Sequence, residues 1–95
     1  MSELVLVTGL GCVTPIGLCV EAFWRSLLEG RSGAAKIQSF DTSPYKNHIG
    51  CEIREFRPEE DFADPARYGR ATQLGIVAAL EAIRDAGLES PLPRP

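Results

Sequence analysis

Between residues 71 and 83 only a thin polar stripe, Gln73 and Glu81 with Arg84 just beyond, interrupts small and apolar side chains. At helical spacing that stripe is too narrow for a helix lying on a surface, so the segment is expected to be buried on most sides. Gly75, Ala78, Ala79 and Ala82 keep its flanks narrow and let a neighbouring helix or sheet come close. Asp64 can cap free N–H groups and Pro65 fits a first helical turn, so the helix is read from there to Ala86, with Gly87 as its stop.

The remainder offers little to enclose such a helix. Leu4-Val5-Leu6-Val7 is a continuous aliphatic run ended by glycines, the pattern of a strand covered on both faces. Gly9, Gly11, Pro15 and Gly17 then crowd into ten residues, where the backbone must turn sharply and can approach other groups. Val20, Phe23, Trp24, Leu27 and Leu28 fall on one helical face opposite Glu21, Arg25 and Glu29, with Gly30 as a stop. Asp41-Thr42-Ser43-Pro44 reads as a turn, since short polar side chains can bond back to the local backbone. Ile49, Cys51 and Ile53 alternate with Gly50, Glu52 and Arg54, which predicts a strand over 48–55 with the first set inward. Residues 57–63 read as an acidic loop, and the tail from Ser90 to Pro95, with three prolines, as extended and unpacked.

Two strands and one further helix make a marginal sheet and cannot bury the last helix, so partner structure is expected to lie outside this chain. At 95 residues only about 60–70% of the unfolded surface can be removed from water in any case. The net charge of −3, with Lys and Arg scattered, gives no electrostatic grip on nucleic acid or an anionic membrane. No apolar run approaches the ~20 residues of a membrane span, and Met1-Ser2-Glu3 lacks the basic start of a secretory leader, so a cytoplasmic protein is expected. Cys12, Cys19 and Cys51, an odd number without CxxC spacing, read as buried, reduced thiols and not as a disulfide framework or zinc site.

Gly9-Leu10-Gly11 after a strand invites a dinucleotide-binding reading, but Thr14 and Pro15 stand where the third glycine and helix start would be. A structural tight turn is the default. Taken further, Val7-Thr8-Gly9-Leu10-Gly11-Cys12-Val13-Thr14-Pro15-Ile16-Gly17 resembles the opening of the chain-elongating β-ketoacyl carrier-protein synthases. The similarity continues through Phe23-Trp24, Leu27-Leu28-Glu29-Gly30-Arg31-Ser32-Gly33, Phe40-Asp41-Thr42-Ser43, Gln73-Leu74-Gly75-Ile76-Val77-Ala78-Ala79 and Asp85-Ala86-Gly87-Leu88. Each piece is weak; in order, along nearly the whole chain, they are specific.

The resemblance implies an α/β, thiolase-like fold of which only the N-terminal part is present, with mixed sheet strands and amphipathic and buried helices. Residues 1–88 would be the partial synthase domain and 89–95 a Pro-rich tail or linker. It implies an acyltransferase that moves an acyl group to a cysteine and condenses it with malonyl carrier protein in fatty acid or polyketide synthesis, working as a homodimer without a cofactor or metal. The family's nucleophile and histidines lie later in its chain, so no catalytic residue is assigned here, and the 95-residue chain alone is expected to be inactive.

Among individual residues, none of the three cysteines is promoted to nucleophile, and the lone His48 is read as a surface or hydrogen-bonded side chain. Glu59, Glu60 and Asp61 read as a solvated run. Arg67 and Arg70, three apart near the start of the last helix, are placed on one face. In similar enzymes basic residues near this point help dock the acidic acyl carrier protein; pairing with Asp61 or Asp64 is the plainer reading. The other basic residues of that patch are replaced here by Phe62, Ala63 and Ala66. Two further readings remain open: a non-catalytic module that binds carrier protein or a full synthase, and a nucleotide-binding fragment.

Overall fold

A computed structural model describes residues 3–89. Helix α1 spans Val20–Leu28, strands β1 and β2 are Ala35–Lys36 and Ile49–Gly50, helix α2 is Pro58–Asp61, a 3-10 turn covers Pro65–Arg67, and helix α3 runs Arg70–Asp85.

The two longer helices end as the glycines predict. Gly30 and Gly87 both take φ of 72°. At each end the glycine N–H and the next residue's N–H fold back onto the last turn: Gly30 to Leu27 O (3.1 Å) and Arg31 to Ser26 O (2.9 Å), Gly87 to Arg84 O (3.0 Å) and Leu88 to Ile83 O (3.1 Å). This is the Schellman arrangement, which a residue without Cβ enters without strain.

The start of α3 differs from the expectation of one helix from residue 64. Asp64 makes no side-chain cap; the turn at Pro65 closes on Tyr68, which is extended, and Gly69 becomes the N-cap of a separate α3. The buried Gln73 explains the break: its Nε2 donates to Pro65 O (2.9 Å) and Tyr68 O (3.3 Å), holding these carbonyls in a bend. The stretch read as an acidic loop also differs, because Pro58 sits at the first position of α2 and places Glu59, Glu60 and Asp61 in one helical turn, where the dipole favours carboxylates.

Residues 4–7 do not form the expected strand. Among the described residues they have no pairing partner, and Leu4, Val5, Leu6 and Val7 are 73–93% exposed. The predicted strand over 48–55 contracts to Ile49–Gly50, paired antiparallel with Ala35↔Gly50 and Lys36↔Ile49 in register. Its phase is reversed too: Ile49 and Cys51 are exposed, while Gly50 and Glu52 are half-buried. The cause is local. A Cβ on Gly50 would lie 3.0 Å from Ile37, and the Glu52 carboxylate turns inward to accept the N–H groups of Gln38 (2.8 Å) and Ser39 (3.2 Å). Arg54 reaches the Lys36 carbonyl at 2.8 Å, so side chains extend the contact that the two-residue ladder begins.

The extended glycine-rich stretch lies against α3. An added Cβ at Gly9 would stand 2.1 Å from the Ala82 carbonyl oxygen, and at Gly11 1.8 Å from that of Ala78. Backbone thus meets backbone, as the small residues of both segments allow. Elsewhere the chain is anchored by polar groups: Ser26 is buried in α1 with its Oγ donating to Ile16 O at 2.6 Å, and Phe56, 7% exposed, is the one large apolar side chain among the described residues to be buried.

Trp24 and Leu28 of α1 stay 59% and 70% exposed. The accessible surface of 7927 Å² exceeds the roughly 5,400 Å² that size scaling gives for a folded monomer of this mass. The Cα radius of gyration, 16.9 Å, likewise exceeds the about 13 Å of a closed domain of such length. Residues 3–89 do not close a core around α3, and the proline-rich tail from Ser90 lies outside the described residues.

Two outcomes follow from these contacts. Gly11→Ala should destabilise the fold by about 1–3 kcal/mol or more, because its methyl meets a backbone carbonyl that cannot move aside. Gly75→Ala, at a helical position with open space, should stabilise by about 0.5–1 kcal/mol, both read from urea midpoints. Hydrogen bonds from Ser39, then from the Gln38 amide, hold Glu52 below its ordinary 4.5, and those from Ser43 hold Asp41 below 3.8. The stabilisation from these carboxylates is complete above those ordinary values and is lost as pH falls through the depressed ones. Amide proton shifts of Gln38 and Ser39 should titrate with a midpoint below 4.5 and stop titrating in Glu52→Gln; a midpoint at or above 4.5 contradicts this.

Candidate functional site

The glycine-rich turn is the first place to look for chemistry. Two of its amides are already committed, Leu10 N–H donating to Asp85 Oδ2 (3.0 Å) and Cys12 N–H to Glu81 Oε1 (3.0 Å), and Val20 N–H at the start of α1 donates to Glu81 Oε2 (2.9 Å). A dinucleotide pyrophosphate needs such N–H groups free and meets two carboxylates instead. Glu81, placed from sequence in the thin polar stripe of the last helix, therefore faces the chain, as does Gln73 of the same stripe. The signal for Glu81 and Asp85 was available: they stand four apart on α3 and flank Ala82, on the side where Ala78 and Ala82 leave room.

The three thiols are free, Cys12 and Cys19 half-buried and Cys51 exposed, so the expectation of three buried cysteines fails for Cys51. Cys51 turns outward with the reversed phase of its strand. Burial first, then the nearby charges of Glu81 and Cys19, push the Cys12 thiol above its ordinary 9.0. That is opposite to the lowered pKa of an activated nucleophile.

The turn read at residues 41–44 forms. Ser43 N–H donates to Asp41 Oδ1 at 3.0 Å, Tyr45 N–H to Thr42 O at 2.9 Å, and His48 Nδ1 lies 2.9 Å from the buried Thr42 Oγ1. His48 is thus a hydrogen-bonded surface residue, beside a shallow pocket of about 400 Å³ that Lys36 and Phe40 also line. An open groove of about 690 Å³ runs between the turn at residues 14–19, the loop at 31–35 and residues 52–55. Its charges are mixed, and Glu29 and Glu52 are paired with Arg31 (3.0 Å) and Arg54 (3.5 Å). Among the described residues no group of three metal-ligating side chains comes together, and no helix is long and apolar enough to cross a membrane.

Arg67 and Arg70 do not share a helix face. Arg67 ends the 3-10 turn and Arg70 opens α3, with Tyr68 and Gly69 extended between them. Their partners differ as well. Arg70 donates to Ile53 O at 2.7 Å and lies 5.0 Å over the Phe56 ring, pinning residues 53–56 to α3. Arg67 lies 5.9 Å over the ring of Tyr68 beside it, with its charge exposed to solvent. Neither forms an ion pair with Asp61 or Asp64 among the described residues.

Residues 2–92 match the family described as "Beta-ketoacyl synthase, N-terminal domain". The chain is 41% identical over 87 residues to 3-oxoacyl-[acyl-carrier-protein] synthase 2 of Staphylococcus aureus (strain COL), covering 90% of this chain and 21% of that protein. It is also 41% identical over 88 residues to the tetracenomycin polyketide synthase ketoacyl synthase alpha subunit of Streptomyces glaucescens, covering 90% of this chain and 20% of that one. Among solved structures, the ishigamide ketosynthase/chain length factor superposes with a TM-score of 0.76 at 38% identity, over 88% of this chain and 21% of that one. The chain spans about a fifth of the length of the relatives it matches. The match along residues 2–92, together with the shared backbone, places this chain in the β-ketoacyl synthase N-terminal domain family, with the thiolase-like α/β fold that the family resemblance implied.

Proposed function

We propose that this chain is the N-terminal part of a β-ketoacyl-ACP synthase acting in fatty acid or polyketide synthesis. The observation that carries the reading is the 41% identity to an acyl-carrier-protein synthase across 90% of the chain. In the reaction proposed for the whole enzyme, a cysteine thiolate attacks an acyl thioester and releases the carrier thiol. Malonyl-ACP then loses CO2, the resulting carbanion attacks the enzyme-bound acyl carbon, and the thiolate leaves again. Histidines hydrogen-bond the thioester oxygen as negative charge develops on it. None of these groups is assigned to this chain, whose part is architectural. Residues 1–88 form the synthase portion and 89–95 a tail, in a cytoplasmic homodimer. The high thiol pKa of Cys12 and the hydrogen-bonded His48 support leaving both out of the chemistry.

Within this reading the carrier-protein surface includes Arg67 and Arg70, in unequal roles. Both guanidinium groups are exposed, but that of Arg67 is held only over the neighbouring Tyr68 ring, whereas Arg70 commits one nitrogen to Ile53 O and is the less free of the two to meet an acidic partner. A second reading, a non-catalytic module that binds carrier protein or a full synthase, is favoured by the exposed Trp24 and Leu28 of α1.

In the full-length polypeptide, Arg67→Glu should weaken acyl carrier protein binding several-fold at low salt with little change in melting temperature, and the effect should fade as salt rises. Arg70→Glu should lower the melting temperature as well, because it removes the Ile53 contact. Acyl transfer followed by intact mass should leave Cys12, Cys19 and Cys51 unmodified; a stable acyl adduct on any of them overturns the assignment. Binding of a full synthase to the 95-residue chain, with no acyl transfer in any assembly, would favour the module instead.

A further inference from the structure

Helix α1 has no cap of its own. Cys19 stands at its N-cap with extended backbone (φ −151°, ψ 168°) and provides no side-chain hydrogen bond. Nine residues are also too few for a stable isolated helix, since those below about 12–15 are marginal even with good formers. Yet its first N–H, on Val20, is satisfied by Glu81 Oε2 at 2.9 Å, from a residue 61 positions later. The other oxygen of the same carboxylate takes Cys12 N–H at 3.0 Å, across a separation of 69. Between these two points the chain makes a tight reversal, closed by Thr14 N–H to Gly17 O (2.8 Å) and by Thr14 Oγ1 to Gly17 O (2.9 Å). One carboxylate therefore grips both ends of the loop from residue 12 to residue 20. It does so at the end of α1 where the helix dipole and two charge-assisted hydrogen bonds favour an anion. The half-buried thiols of Cys12 and Cys19 flank it, and neither supplies an alternative acceptor of comparable strength.

We propose that Glu81 is an N-cap supplied to α1 from α3 of the same chain: a positioning residue that makes the order of the 12–20 loop and the first turn of α1 conditional on α3 being docked. The seat between the two N–H groups is specific for a carboxylate, because only that group offers two anionic oxygens without bringing a donor. Asp85, one turn further along, holds Leu10 N–H at 3.0 Å and keeps the extended glycine-rich stretch in place without reaching α1.

The test is residue-resolved amide exchange on the full-length polypeptide carrying Glu81→Ala or Glu81→Gln. In Glu81→Ala, exchange at Cys12 and Val20 should rise about tenfold, as for a lost N-cap, while amides inside α3 keep their protection. Added formate should restore protection at both sites, and chloride of the same ionic strength should not. In Glu81→Gln the side chain has one accepting oxygen, so one of the two amides should stay protected and the other not. Unchanged exchange at Cys12 and Val20 in Glu81→Ala, equal loss through α3, or rescue by chloride as good as by formate overturns the proposal. If the alanine variant does not fold, the glutamine variant decides: unequal protection of the two amides supports the latch, and equal protection overturns it.

Discussion

The contact on which the rest depends is the one between the Gly9–Gly11 backbone and the helix carrying Ala78 and Ala82, where a Cβ on either glycine would stand about 2 Å from a carbonyl oxygen. Two residues of extended chain advance about 6.7 Å, and one helical step of four residues about 6.0 Å. The two periods nearly coincide. Gly9 faces Ala82 and Ala86 while Gly11 faces Ala78 and Ala82, and the intervening N–H groups of Leu10 and Cys12 reach Asp85 and Glu81, also four apart. Glycine here serves close approach, and the helix offers this extended stretch carboxylate acceptors in place of a neighbouring strand's carbonyls.

That contact is polar where a domain core would be apolar, and the same holds across the described residues. Gln73 ties the bend before α3, Ser26 ties α1 to the glycine turn, Glu52 ties the two halves of the β1–β2 contact, and Arg70 ties residue 53 to α3. Each bond is directional and adds about 0.5–1.5 kcal/mol net, with more for charged partners. They position segments accurately and remove little apolar surface from water. The residues left outside, Leu4 to Val7 and the outer face of α1, are of the type that burial rewards most. A chain spanning a fifth of its relatives' length, with its aliphatic run unpaired, has the layout of the first layer of a larger body.

The two arginines show how far spacing can mislead. Three residues apart, they belong together only if the backbone between them is helical. Gln73 bends that backbone by taking the Pro65 and Tyr68 carbonyls, so Arg70 is tied by one nitrogen to the Ile53 carbonyl while Arg67 has no such tie, although both stay exposed. The chemistry available to a partner protein is set by that bend and not by the count of positive charges.

Local features were legible from the residues themselves: the helix stops at Gly30 and Gly87, the turn around Asp41, the period of α1, the close packing allowed by Gly9, Gly11 and the alanines, and the family resemblance carried by their order. Such features arise within about four residues, through φ, capping and side-chain spacing, so a one-dimensional reading reaches them. The inward turn of Glu81, Gln73 and Glu52, the loss of pairing at residues 4–7 and the reversed phase at Ile49 and Cys51 were decided only in three dimensions. Whether a carboxylate faces water or an amide depends on which N–H groups lie against it. For Glu81 those groups belong to residues 61 and 69 positions away, a proximity that no local pattern encodes.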